Sequence, residues 1–197
     1  MRTINGKCSY EYEIKRSRFL CFVHNIGNVA DAANLLDDYH KQYADATHIC
    51  YAYVINNPAA EKCSDDGEPS GTAGKPMLDM IKKQGLSNII VIVVRYFGGV
   101  KLGAGGLVRA YANAVRLALE NVEIKDINKY WQCEIIISID KRYSLENNDN
   151  VKIINIDYSM ISDKALKVEA AILCNDDVLK SIRGMAKEVT IIREVLM

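Results

Sequence analysis

The stretch Ile89-Ile90-Val91-Ile92-Val93-Val94-Arg95-Tyr96-Phe97-Gly98-Gly99-Val100-Lys101-Leu102-Gly103-Ala104-Gly105-Gly106-Leu107-Val108-Arg109 decides how this chain folds. Its first six residues are all β-branched, which predicts a strand buried on both faces. Its last residues open a helix over Gly105–Glu120, with Leu107, Tyr111, Ala114, Val115, Ala118 and Leu119 along one face. A strand that turns through glycine into a helix has a physical use. Free N–H groups and the positive end of the helix dipole attract an anion at such a terminus. Gly103, Gly105 and Gly106 let a phosphate approach the backbone, and Arg95, Lys101 and Arg109 can add charge-assisted hydrogen bonds. The segment is not a P-loop, because Gly74-Lys75 is followed by Pro76, and it lacks the third glycine of a Gly-x-Gly-x-x-Gly motif. The other reading of the same residues is a tight strand-to-helix turn with solvated charges.

Immediately upstream the backbone is equally unusual. Nine of the twelve glycines lie between Gly67 and Gly106. Glu61, Asp65, Asp66 and Glu68 crowd into eight residues, whereas Met80 to Leu119 holds six basic residues and no acidic one. The acidic turn Asp65-Asp66-Gly67-Glu68 has two readings. It could ligate a hard divalent cation through oxygen, or it could supply salt-bridge partners for the basic segment. It lacks the spacing of an EF-hand loop. Pro76 suits the first turn of a short helix, Met77–Gln84, which Gly85 ends.

Further out, Tyr10, Tyr12 and Ile14 alternate with polar residues, and Phe19–Val23 is a compact apolar run; Lys15–Arg18 turns between these two strands. Asn28 can cap a helix bearing Val29, Ala32, Ala33, Leu36 and Tyr43, and Ile49–Ile55 reads as a third strand. A polar stretch near 125–130 marks a domain boundary, giving domains 1–128 and 129–197. The second would hold strands at 131–139, 151–159, 165–173 and 189–195, with a helix at 176–187 capped by Asn175. The fold class is α+β.

Composition excludes several classes. Formal net charge is zero and 49% of residues are apolar, which argues against disorder. Apolar runs such as Ile89–Val94 fall far short of the roughly 18–20 residues of a membrane helix, and residues 1–7 hold no apolar core of a secretory signal. Six widely spaced cysteines read as thiols of a cytoplasmic protein. His24, His40 and His48 have no partner at ligand spacing, so no zinc site is expected. Ser70 and Thr72, with Asp65 and His48, show no spacing that argues for nucleophilic catalysis. The tyrosines of the periodic faces read as packing residues.

Three blocks, Ala46–Tyr53, Ser64–Leu78 and Val94–Tyr111, resemble the signature of the YigZ/IMPACT family, and the resemblance is strong over residues 1–125. It implies an N-terminal domain with the fold of the second domain of a small-subunit ribosomal protein, also found in a translocation GTPase. It implies a small ferredoxin-like C-terminal domain. Only Asp140–Asn150 separates its first two strands, so that domain is expected to lack a full first helix. The family is linked to translation control, and its bacterial members are suspected nucleic-acid binders on grounds of fold. Eukaryotic relatives add a domain that tethers them to a translation-stress regulator; nothing in this sequence corresponds to it.

Three functions are therefore in play. One is a binding module for RNA or a ribosome-associated complex, with phosphates at Arg95, Lys101 and Arg109. A second is an enzyme acting on a phosphorylated small molecule, with a metal at Asp65, Asp66 and Glu68. A third is a protein-interaction module whose glycine turns are architectural. No cofactor is expected.

Overall fold

The structure is a computed structural model that describes residues 2–162 and 164–196. The chain divides into two compact units, Met1–Asp126 and Ile127–Met197.

The first unit is built on a five-stranded sheet. In chain order its elements are β1 (Arg2–Ile4), β2 (Lys7–Ile14), β3 (Ser17–Asn25), α1 (Val29–Gln42), β4 (His48–Asn56), β5 (Ala59–Ser64), α2 (Gly74–Lys83), β6 (Ile89–Tyr96), α3 (Ala104–Glu120) and β7 (Ile124–Asp126). The sheet order is β2-β3-β6-β4-β5 and every neighbouring pair is antiparallel; β1 pairs separately with β7. The β-branched run thus becomes the central strand, β6. Ile89, Val91 and Val93 point into one core with residues of α2 and α3, and Ile90, Ile92 and Val94 into another with Ala32 and Tyr39 of α1. All six are fully buried. Helices cover both faces, so an antiparallel strand can carry the continuous apolar sequence usual in parallel sheets.

Local signals set the other elements. Asn28 caps α1 in a reciprocal capping box with Asp31: its side chain accepts from the Asp31 amide at 2.9 Å, and Asp31 accepts from the Asn28 amide at 3.2 Å. Lys15 and Arg16 both take positive φ, the two-residue turn whose twist suits a β2–β3 hairpin. Helix α2 begins at Gly74, ahead of Pro76, where the sequence places its first turn. The cause is Asp65, which binds the amides of Ala73 and Gly74 and extends the helix backwards.

The second unit contains β8 (Lys129–Ser138), a 3₁₀ turn (Ile139–Lys141), α4 (Arg142–Glu146), β9 (Val151–Ser162), β10 (Ala165–Leu173), α5 (Asp176–Met185) and β11 (Glu188–Leu196). Its sheet order is β11-β8-β10-β9, antiparallel throughout. This β-α-β-β-α-β order is that of the split β-α-β arrangement. The first helix is present but shortened to five residues, as the brevity of the 140–150 segment requires. Leu145, fully buried, seats that turn of helix on the core formed by Ile135, Ile137, Val168, Ala170 and Ile172. Asn175 caps α5, accepting from the amides of Asp177 and Val178. Among the described residues no helix is long and apolar enough to cross a membrane.

Candidate functional site

The alternation of β6 continues past its apolar run and places Arg95 on the α3 side of the sheet, 4% exposed. Its Nη1 donates to Glu68 Oε1 at 2.5 Å, and Nη2 donates to Ser17 Oγ at 3.4 Å. The same Glu68 oxygen accepts from the Tyr111 hydroxyl at 2.8 Å. The guanidinium lies over the rings of Phe19 and Phe97, with Cζ 5.4 and 5.5 Å from the two ring centroids. Beneath it the Cys50 thiol donates to Tyr111 Oη at 3.3 Å. Burial holds the Tyr111 phenol well above its usual range and pushes the Cys50 thiol up to about 12. The sequence offers Arg95 to a phosphate. The structure instead engages its charge internally, with Glu68, because the strand's alternation points it into the core.

The acidic turn is occupied in the same way. Asp65 accepts from the amides of Gly71 (2.8 Å), Ala73 (2.9 Å) and Gly74 (2.8 Å). Burial pushes its carboxyl up, but the three amides together outweigh burial and hold it below its ordinary value. Asp66 accepts from the Ile49 amide at 2.5 Å, and its carbonyl meets Nδ1 of His48 at 2.7 Å. The turn therefore supports the start of α2 and the start of β4, and Glu68 is a salt-bridge partner of the basic segment. Among the described residues, no group of three or more His, Cys, Asp or Glu side chains could hold a metal ion.

Three of the six basic side chains are also paired: Arg95 with Glu68, Lys82 with Glu61 at 2.6 Å and Arg116 with Glu120 at 2.5 Å. Lys101 and Arg109 are exposed and have no ion-pair partner among the described residues. The glycines divide similarly. A Cβ at Gly98 would lie 2.0 Å from the Arg16 carbonyl, so that glycine is needed for the close approach of two backbones. Gly103 has φ of 73° and precedes α3 without a side-chain cap. A Cβ added at Gly106 would lie 3.1 Å from Leu102 Cβ, whereas one at Gly105 would meet nothing within 4 Å.

These segments converge on a cleft of about 390 Å³. Its walls come from the start of β4 (Thr47, His48), the acidic turn (Glu68, Pro69), the end of β6 (Arg95, Phe97) and the approach to α3 (Lys101, Gly103, Ala104). Arg109, farther along α3, is not among its walls. His48 does not stand out in the sequence because its partner lies 18 residues away. Its Nδ1 donates to the Asp66 carbonyl, and its Nε2 lies 3.8 Å from Glu68 Oε2. The cleft thus combines a helix N-terminus, a lysine, an exposed aromatic ring and a buried carboxylate.

Residues 15–119 match the family model for the Impact N-terminal domain, more than half of the chain. The chain belongs to the IMPACT family. It is 44% identical to the IMPACT family member YvyE of Bacillus subtilis over 62% of this chain, and spans 57% of that relative's length. It is 39% identical to the IMPACT family member YigZ of Escherichia coli, over 74% of each chain. A solved structure described as that of a hypothetical protein matches 98% of this chain and 97% of its own, at 28% identity and a TM-score of 0.63. All of the cleft's wall residues fall inside the part that matches the IMPACT domain model.

Proposed function

We propose that this IMPACT-family chain is a translation-associated binding protein of the cytoplasm that meets phosphates of RNA or a ribonucleoprotein at its glycine-rich turn. The observation that carries this reading is the uncapped N-terminus of α3, opening onto a cleft beside the unpaired Lys101. Backbone N–H groups and one cation suit a phosphate without reading base sequence. Arg109 extends the positive surface along α3, while Arg95 shapes the site from below and carries no phosphate. The family's link to translation control agrees with this assignment. Half of the segment's basic side chains are neutralised internally, so binding is local and salt-sensitive.

A titration of single-stranded RNA at several salt concentrations, on wild type and Lys101→Ala/Arg109→Ala, tests the reading. The double variant should bind more weakly and lose about 0.7 in the salt slope for each phosphate contact removed. Absence of RNA binding at low salt, or an unchanged double variant, would overturn it.

A further inference from the structure

We propose that the cleft holds a single nucleoside monophosphate unit, with its base against Phe97 and its phosphate at the start of α3. This deepens the phosphate reading above and rests on it for the phosphate position alone.

Three observations meet in this one cavity, and a fourth lies beside its wall residue Ala104, in the first turn of α3. Phe97 is 45% exposed although one side of its ring lies on the Arg95 guanidinium. A large aromatic ring held this way is a rigid platform, and a nucleobase stacks on it whatever its sequence identity. The Arg95 side chain is 5% exposed, and its Nε has no hydrogen-bond partner among the described residues. A buried donor left so is an exception in folded proteins and points to a ligand acceptor. Glu68 Oε2 lies 3.8 Å from His48 Nε2, and it is an acceptor to which a ribose hydroxyl can donate. Finally, Gly105 occupies the first turn of α3 where the fold makes no demand for glycine. Its φ lies outside the left-handed region and an added Cβ would meet only open space. A bare backbone there serves an approaching group, not the packing.

Size and charge agree with this occupant. A volume of about 390 Å³ lies at the small end of ligand pockets, suited to one nucleotide and too small for a folded partner. The phosphate would face the α3 amides and Lys101, away from Glu68, whose charge Arg95 neutralises. The same unit could arrive as a free nucleotide or as one residue of an RNA chain.

The test is calorimetric titration of the full chain with a 5′-nucleoside monophosphate, the corresponding nucleoside and inorganic phosphate. The monophosphate should bind at least about tenfold more tightly than either fragment, since stacking on one aromatic ring contributes on the order of five- to 150-fold. Phe97→Leu should remove that advantage and leave inorganic phosphate unchanged. Gly105→Ala should weaken both phosphate ligands without lowering the melting temperature, which separates lost binding from lost folding. Equal affinities for monophosphate and phosphate, or a Phe97→Leu protein that binds as wild type, would overturn the proposal. A short oligoribonucleotide that binds more tightly than the monomer supports the cleft as a reader of one residue in a chain; equal affinity supports a free nucleotide. Monophosphate binding without any RNA binding would sustain this proposal and defeat the RNA reading. RNA binding that ignores Phe97 would do the reverse.

Discussion

Arg95 Nη1 lies 2.5 Å from Glu68 Oε1, a pair of side chains no more than 5% exposed and separated by 27 positions in the chain. Each neutralises a charge that the interior would otherwise have to hold alone. Removing one partner strands the other, which typically costs about 3–5 kcal/mol. Glu68→Leu and Arg95→Met should each lower stability by that order in urea denaturation. The double variant should be more stable than the sum of the two losses, because both charges leave together. Strictly additive losses would show that the two groups do not interact.

The carboxylate of Asp65 makes its three amide bonds as an anion, so its contribution depends on pH. Its folded value lies below the ordinary one. A depressed carboxyl stabilises the fold above the unfolded value, near 4, and loses that contribution as pH falls through the folded value. Asp65→Asn should therefore cost about 1–2 kcal/mol at neutral pH, the range for a lost helix cap. The gap between variant and wild type should close as pH drops below about 4. Denaturation curves at a series of pH values check this, and a gap that widens in acid would contradict it.

Two glycines should respond in opposite ways to the same substitution. Gly98→Ala drives a methyl group into the Arg16 backbone, and the hairpin or the strand end must shift. A loss of at least about 2 kcal/mol, or no soluble protein, is the expected outcome. Gly105→Ala meets no obstacle and should stabilise α3 by up to about 1 kcal/mol, since glycine is the poorer helix former. Thermal melts of the two proteins provide the comparison.

Burial makes several thiols inert. The thiols of Cys50 and Cys133 are pushed up to about 12 and about 11, in both cases chiefly by burial, and Cys21 is fully buried. Reaction with a disulfide reagent at pH 8 should modify Cys8, Cys63 and Cys174 first, as they are partly exposed. Cys21, Cys50 and Cys133 should follow only as the protein unfolds. Rapid labelling of all six in native buffer, read by mass spectrometry of peptides, would refute this.

Much of the architecture is legible in the sequence because its signals are local. The unbroken β-branched run of β6, the helical spacing after Gly105 and the caps at Asn28 and Asn175 each report on a few neighbouring residues. The strand β5 escapes such a reading because it forms an edge, where Glu61 and Lys62 stay solvated and no apolar alternation is needed. Helix α4 escapes it because five residues are too few to show a period. In the site, Lys101 and the glycines stand out by their own chemistry. The engagement of Arg95 does not, because which set of alternating β6 residues faces α3 depends on register with β3 and β4. Likewise His48 acquires its meaning only from Asp66, across a hairpin and a turn.

The uniformity of β6 leaves it with a problem of alignment. A strand whose side chains are apolar on both faces can slide by one residue and still bury isoleucine and valine everywhere. Hydrophobicity scarcely distinguishes the two arrangements. Arg95 does, since a one-residue slide swings it to the α1 face and away from Glu68. The Glu68→Leu/Arg95→Met protein is the place to look for the slipped form, as a second set of amide resonances from β6. The ion pair thus serves the central strand as an index mark, singling out one alignment among several that are equally apolar.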